Sequence, residues 1–96
     1  MYGIFWTDTA KITYQEILEQ LDAQWSIEIV IILDNKIQTL LSNLKSHQHL
    51  CPIIDDGVRK CVIVPHTSLL YEVDELDKTI VLLSFFDNRT DHPYWV

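Results

Sequence analysis

Apolar positions change their period twice along this chain, and the changes mark its elements. Residues 2–6, YGIFW, are a short aromatic and β-branched run that predicts a strand. Thr7, Asp8 and Thr9 follow, each an acceptable helix N-cap. Ala10, Tyr14, Ile17, Leu18, Leu21 and Trp25 then recur at threes and fours, which predicts an amphipathic helix over about 9–24. Lys11, Gln15, Glu16, Glu19, Gln20 and Asp22 form its wet side.

Ser26 is placed to cap a second helix. Val30, Leu33, Ile37, Leu40, Leu41 and Leu44 keep helical spacing, so this helix runs from residue 27 to about 44 or 46. Its start, IEIVIIL, is apolar almost all round and rich in β-branched residues, which raises a strand alternative. The clear downstream period and the lack of a turn residue favour helix. A tight break between the two makes an αα-hairpin. Residues 46–57 read as a connection, with Pro52 and Asp55-Asp56-Gly57 as turn chemistry. The period then drops to strand-like runs at 58–64, 68–73 and 79–86, and Asp74-Glu75-Leu76-Asp77 turns the chain between the last two. Short connections favour an antiparallel meander. The expected fold is α+β, in the order β-α-α-β-β-β, an antiparallel twisted sheet with an N-terminal helical hairpin packed on one face.

Length admits one domain over residues 1–96, since a chain of 96 residues buries a single modest core. The longest apolar run, residues 29–33, is far too short for a bilayer, and the first ten residues lack the charged start and apolar stretch of a signal peptide. A soluble, cytoplasmic protein is expected, with no membrane partner. Cys51 and Cys61 form no CxxC pair, so two buried or half-buried free thiols are expected; a disulfide between them depends on geometry.

Charge narrows the function classes. Fourteen Asp and Glu face seven Lys and Arg, for a net charge of −7. Nucleic-acid binders draw affinity from neutralising phosphates, so direct nucleic-acid binding is disfavoured unless the cations cluster. His47, His49 and Cys51 offer three metal-ligating types in five residues, but no motif places a fourth ligand, and no metal site is expected. No Gly-rich phosphate loop or nucleophile elbow is present, and no cofactor is implied.

The order of four segments resembles the RelE/ParE superfamily of toxins from type II toxin–antitoxin pairs. Gly57-Val58-Arg59-Lys60-Cys61-Val62 resembles the strand that opens the family's C-terminal sheet. Thr67-Ser68-Leu69-Leu70-Tyr71-Glu72-Val73 resembles its "sLyYrv" strand. Residues 80–86 with Asp87-Asn88-Arg89 resemble its last strand and "DNR" or "GxR" end. Trp6-Thr7-Asp8-Thr9-Ala10, the Tyr-bearing helix and Trp25-Ser26 complete the match, which spans essentially the whole chain.

The resemblance implies a small growth-inhibiting toxin, of the kind associated with plasmid stabilisation, neutralised by a cognate antitoxin that wraps over it. Its RelE side cuts messenger RNA on the ribosome without a metal, holding phosphate with Lys and Arg and using a C-terminal Tyr or His. Its ParE side lacks that set and is associated with DNA gyrase. Carried onto this chain, the catalytic set would be Arg59, Lys60, His66, Arg89 and Tyr94. Arg89 would stabilise phosphate charge or meet a partner carboxylate; its plainer role is an ion pair with Asp87 or Asp91. Arg59 and Lys60 alternate across a strand, so one of them faces any given site. His66 is a substitute cation or base, or a surface turn residue. RNA-cutting relatives carry an Arg where this chain has Ser68. Tyr94 is a poor base without cations to lower its pKa, and with Trp95 it suits packing or a partner. Ile27, Ile29, Ile31 and Ile32 exceed one core stripe, which marks Ile27 and Ile31, with Arg89, Tyr94 and Trp95, as partner-binding candidates. The expected function is a ParE-like toxin that binds a protein target such as DNA gyrase. The alternatives are a ribosome-dependent, metal-independent endoribonuclease and a non-toxic interaction module. A homodimer is a further possible assembly.

Overall fold

The computed structural model describes residues 1–87, apart from the side chain of Gln24. The order is β1 (Gly3–Trp6), α1 (Asp8–Gln24), α2 (Ile27–Ser46), β2 (Ile53–Asp55), β3 (Val58–Val64), β4 (Thr67–Asp74) and β5 (Thr79–Asp87). The sheet runs β1-β5-β4-β3-β2. The α+β class, the helical hairpin and the three-strand meander β3-β4-β5 match expectation. Two details differ. A three-residue strand, β2, forms inside the segment read as a connection. The sheet is mixed rather than antiparallel, because β1 runs parallel to β5, pairing Gly3 with Thr79 through Trp6 with Leu82. The hairpin between β1 and the meander acts as the crossover a parallel pair needs.

Each boundary has a local cause. Thr7 is the α1 N-cap: its hydroxyl accepts from the Ala10 N–H at 3.1 Å and donates to the Leu82 carbonyl at 2.7 Å. The cap therefore also fastens α1 to β5. Ser26 stands at the α2 N-cap position as expected but makes no side-chain cap bond. Asp56 and Gly57 turn β2 into β3, both at positive φ, which a two-residue turn between right-twisted strands requires.

The helix-facing side of the sheet carries the core. Leu33, Ile37, Leu41 and Leu44 of α2 meet Cys61, Leu69, Tyr71, Ile80, Leu82 and Phe85, all buried. Trp6, Tyr14 and Phe85 close it with ring contacts at 5.2–5.6 Å. Between Leu70 and Tyr71 the pairing with β5 shifts from Ser84 to Leu82, leaving Leu83 as an extra residue in the register. Past this bulge the Phe85 N–H donates to the Thr13 hydroxyl of α1 at 2.9 Å. The helix thus supplies an acceptor to the strand beside the bulge. Among the described residues no helix is long and apolar enough to cross a membrane.

Candidate functional site

Pleat geometry decides where the cations of β3 go. Arg59 pairs with Tyr71, and Cys61 with Leu69, which places them on the helix-facing side. Lys60 pairs with Leu70 and lies on the opposite face, beside the small cluster of Val58, Leu70 and Phe86. Its Nζ stands 5.9 Å from the Phe86 ring centroid. Desolvation holds the Lys60 ammonium below the usual lysine range.

Arg59 is committed to structure. Its Nη1 donates to the Cys51 carbonyl at 2.7 Å. Across the strand pair, the buried Tyr71 hydroxyl donates to the Gln48 carbonyl at 2.9 Å and accepts from the Cys51 N–H at 3.3 Å. Burial pushes the Tyr71 phenol up, so it stays a donor. These bonds hold a strap, residues 47–52, against the end of the sheet. A disulfide joins Cys51 to Cys61, whose Cα atoms are 5.3 Å apart. The expectation of two free thiols is therefore corrected. The short β2–β3 hairpin returns the chain so that Cys61 reaches the strap, a register that sequence spacing does not display. At the strap's outer side Glu75 takes hydrogen bonds from the Tyr2 hydroxyl at 2.7 Å and from His49 at 2.8 Å. The Tyr2 bond, then the His49 bond, holds the Glu75 carboxyl below the usual range. Of the HxHxC run, Cys51 is in the disulfide and His49 is paired with Glu75. Among the described residues no cluster of His, Cys, Asp or Glu has a metal-holding arrangement.

His66 lies elsewhere, in the exposed β3–β4 turn. Four steps along the strand lead from Lys60 to Val64, roughly 13 Å at about 3.3 Å per residue, before the turn begins. Arg59 is thus turned to the strap, Lys60 to the opposite sheet face, and His66 sits in a turn. Ser68, at the position where RNA-cutting relatives are expected to carry an Arg, is buried and pairs with Phe86. Arg89, Tyr94 and Trp95 lie outside the described residues.

His66 borders the feature that sequence reading missed, a groove of about 330 Å³ at the tip of the helical hairpin. Ile17, Leu21 and Trp25 form one wall, Ile29 and Ile32 the other, and Val64 lies on the floor. Trp25 is 65% exposed, Ile32 51% and Ile29 40%. Ile27 and Ile31 are also more than half exposed, in line with the surplus over one core stripe, but neither lines the groove. The surplus of isoleucines was visible in sequence; the wall it would build against α1 was not, since that needs the interhelical packing.

The whole fold has relatives among solved structures. The toxin–antitoxin complex RelBE2 from Mycobacterium tuberculosis aligns with a TM-score of 0.60 at 16% identity, over 90% of this chain and 96% of that one. A copper-bound mutant toxin from Helicobacter pylori gives 0.68 at 18% identity, over 93% and 97%. A metal-bound toxin from the same organism gives 0.67 at 15% identity, over 93% and 97%. No family model and no curated protein matches the sequence. The resemblance expected from four sequence segments is therefore borne out in three dimensions: this chain has, along nearly its full length, the fold of RelE-type toxins.

Proposed function

We propose that the chain is the toxin of a bacterial toxin–antitoxin pair, neutralised by a cognate antitoxin, and that it acts by binding a protein target such as DNA gyrase. The observation that carries the first part is the end-to-end match to three solved toxins, one of them in complex with its antitoxin. The second part is supported by how the described cations are disposed. Metal-independent RNA cleavage needs several polar groups converging on one phosphate. Here Arg59 is held by the Cys51 carbonyl, Lys60 lies on the other sheet face and His66 sits in a distant turn. The net charge of −7 adds a repulsive field toward RNA. A protein-binding toxin needs no reacting group, only an exposed adhesive surface, and the hairpin carries one.

Induction of the gene without its neighbour in a bacterial host tests both parts. Growth arrest with a DNA-damage response is expected. Arrest with messenger cleavage at the ribosomal A site would assign the endoribonuclease activity instead. Unimpaired growth would leave a non-toxic interaction module on the same fold. A short adjacent reading frame whose product binds this chain and restores growth is expected under the toxin reading.

A further inference from the structure

We infer that the hairpin-tip groove receives an amphipathic polypeptide segment with a cationic flank. The inference rests on the reading of this chain as one half of a protein pair and specifies the contact chemistry of the other half. Two observations carry it.

The first is an apolar cleft that this chain leaves open. Trp25, Ile29 and Ile32 are large, exposed and gathered on facing helices over Val64. Exposed aromatic and aliphatic side chains grouped in a concave site mark an interface core. The walls are helical, and a segment presenting apolar side chains one turn apart would seat between them.

The second is the charge around the cleft. From residue 12 to residue 35 the chain has five acids, Glu16, Glu19, Asp22, Glu28 and Asp34, and no Lys or Arg. Asp87 lines the groove itself, and the exposed Glu16 and Glu28 stand one helical turn from the groove residues Gln20 and Ile32; Lys36, one turn beyond Ile32, is the nearest described cation along α2, so the rim is net negative. The cleft is apolar inside and negative at its rim. That pattern selects its occupant. A nucleic acid would bring phosphates against carboxylates. A second copy in an isologous contact would bring one acidic rim against the other. A segment with Lys or Arg beside its apolar anchors satisfies both features.

The test uses the purified full chain and two synthetic twenty-residue helical peptides. They share one Leu/Ala face and differ in having either Lys/Arg or Glu on the other. Affinities are measured by calorimetry at low and moderate salt. The cationic peptide is expected to bind and the Glu twin to bind more weakly by roughly tenfold, a gap that narrows as salt screens the rim. The double variant Glu16→Lys/Glu28→Lys is expected to reverse that preference. Ile32→Gln, at an exposed site outside the core, is expected to weaken both peptides while leaving the helical circular dichroism unchanged. Equal affinity for the two peptides, no binding of either, or insensitivity to Ile32→Gln would overturn the inference. So would a concentration-dependent dimer of the chain alone that Ile32→Gln dissolves. Growth arrest is not part of this readout, so a harmless chain that still prefers the cationic peptide would sink the toxin reading and leave the groove assignment standing.

Discussion

Replacing Tyr71 with Phe isolates the strap that holds Arg59. The ring stays in the core, and only the hydroxyl is removed. That hydroxyl makes two bonds, donating to the Gln48 carbonyl at 2.9 Å and accepting from the Cys51 N–H at 3.3 Å. A net bond contributes about 0.5–1.5 kcal/mol, and a buried partner left unpaired costs about 1–3 kcal/mol. Gln48 and Cys51 are half-buried, so water recovers part of the loss. The second bond is long and counts for less. The expected destabilisation is about 1.5–2.5 kcal/mol, or a drop in Tm of roughly 10 °C for a domain of this size. Urea unfolding followed by tryptophan fluorescence should show a lower midpoint with an unchanged slope. Arg59→Met removes the other bond to Cys51, at 2.7 Å, and the two changes act on one strap. Their double-mutant cycle should show a coupling of at least about 0.5 kcal/mol. A loss below about 0.5 kcal/mol for Tyr71→Phe, or strict additivity with Arg59→Met, would refute the claim that these residues share a structural task.

Three further outcomes follow from the same geometry. Cys51 and Cys61 are ten residues apart in sequence, so opening the disulfide with a thiol reductant should cost roughly 3 kcal/mol by loop-closure entropy, and Cys51→Ser/Cys61→Ser should match it; a loss under about 1 kcal/mol would mean the strap is held by its hydrogen bonds alone. Burial, then the bond to Asp34, pushes the Tyr14 phenol up to about 12. The unfolded chain loses this proton near pH 10 while the folded chain keeps it, so the contribution is complete below pH 10 and is lost as pH rises toward 12; Tyr14→Phe should flatten that part of the stability profile, and an unaltered slope would count against the assignment. Thr7→Ala removes both the α1 cap and the tie to Leu82, and should cost about 1–2 kcal/mol with faster hydrogen exchange at Ala10; unaltered exchange there would contradict the capping role.

Most of the architecture was legible because it is local. The α1 and α2 stripes, the break at Trp25-Ser26 and the Asp56-Gly57 turn are each written within a few residues. What escaped was pairing between distant segments. The β1 run carries no mark of direction, so its parallel contact with β5 was not visible. Residues 53–55 became a strand only because the turn at 56–57 folds them back on β3. The disulfide depends on that same return. Among the site residues, alternation correctly separated Arg59 from Lys60, but it did not reveal that Arg59 is spent on the Cys51 carbonyl. The isoleucine surplus on α2 pointed to an exposed apolar surface. The groove needed Trp25 and Leu21 of the other helix to complete it, and that packing is tertiary.

The account's central claim is that the described cations of β3 and its turn do not form an RNA-cutting site. Mapping messenger 5′ ends after induction of the wild-type chain and of Lys60→Met/His66→Gln tests it most directly. Lys60→Met keeps an unbranched apolar stem over Phe86, and His66 is exposed, so both chains should fold. The account predicts no new 5′ ends at ribosomal A sites with either chain. A-site cleavage by the wild type that the double variant abolishes would contradict it.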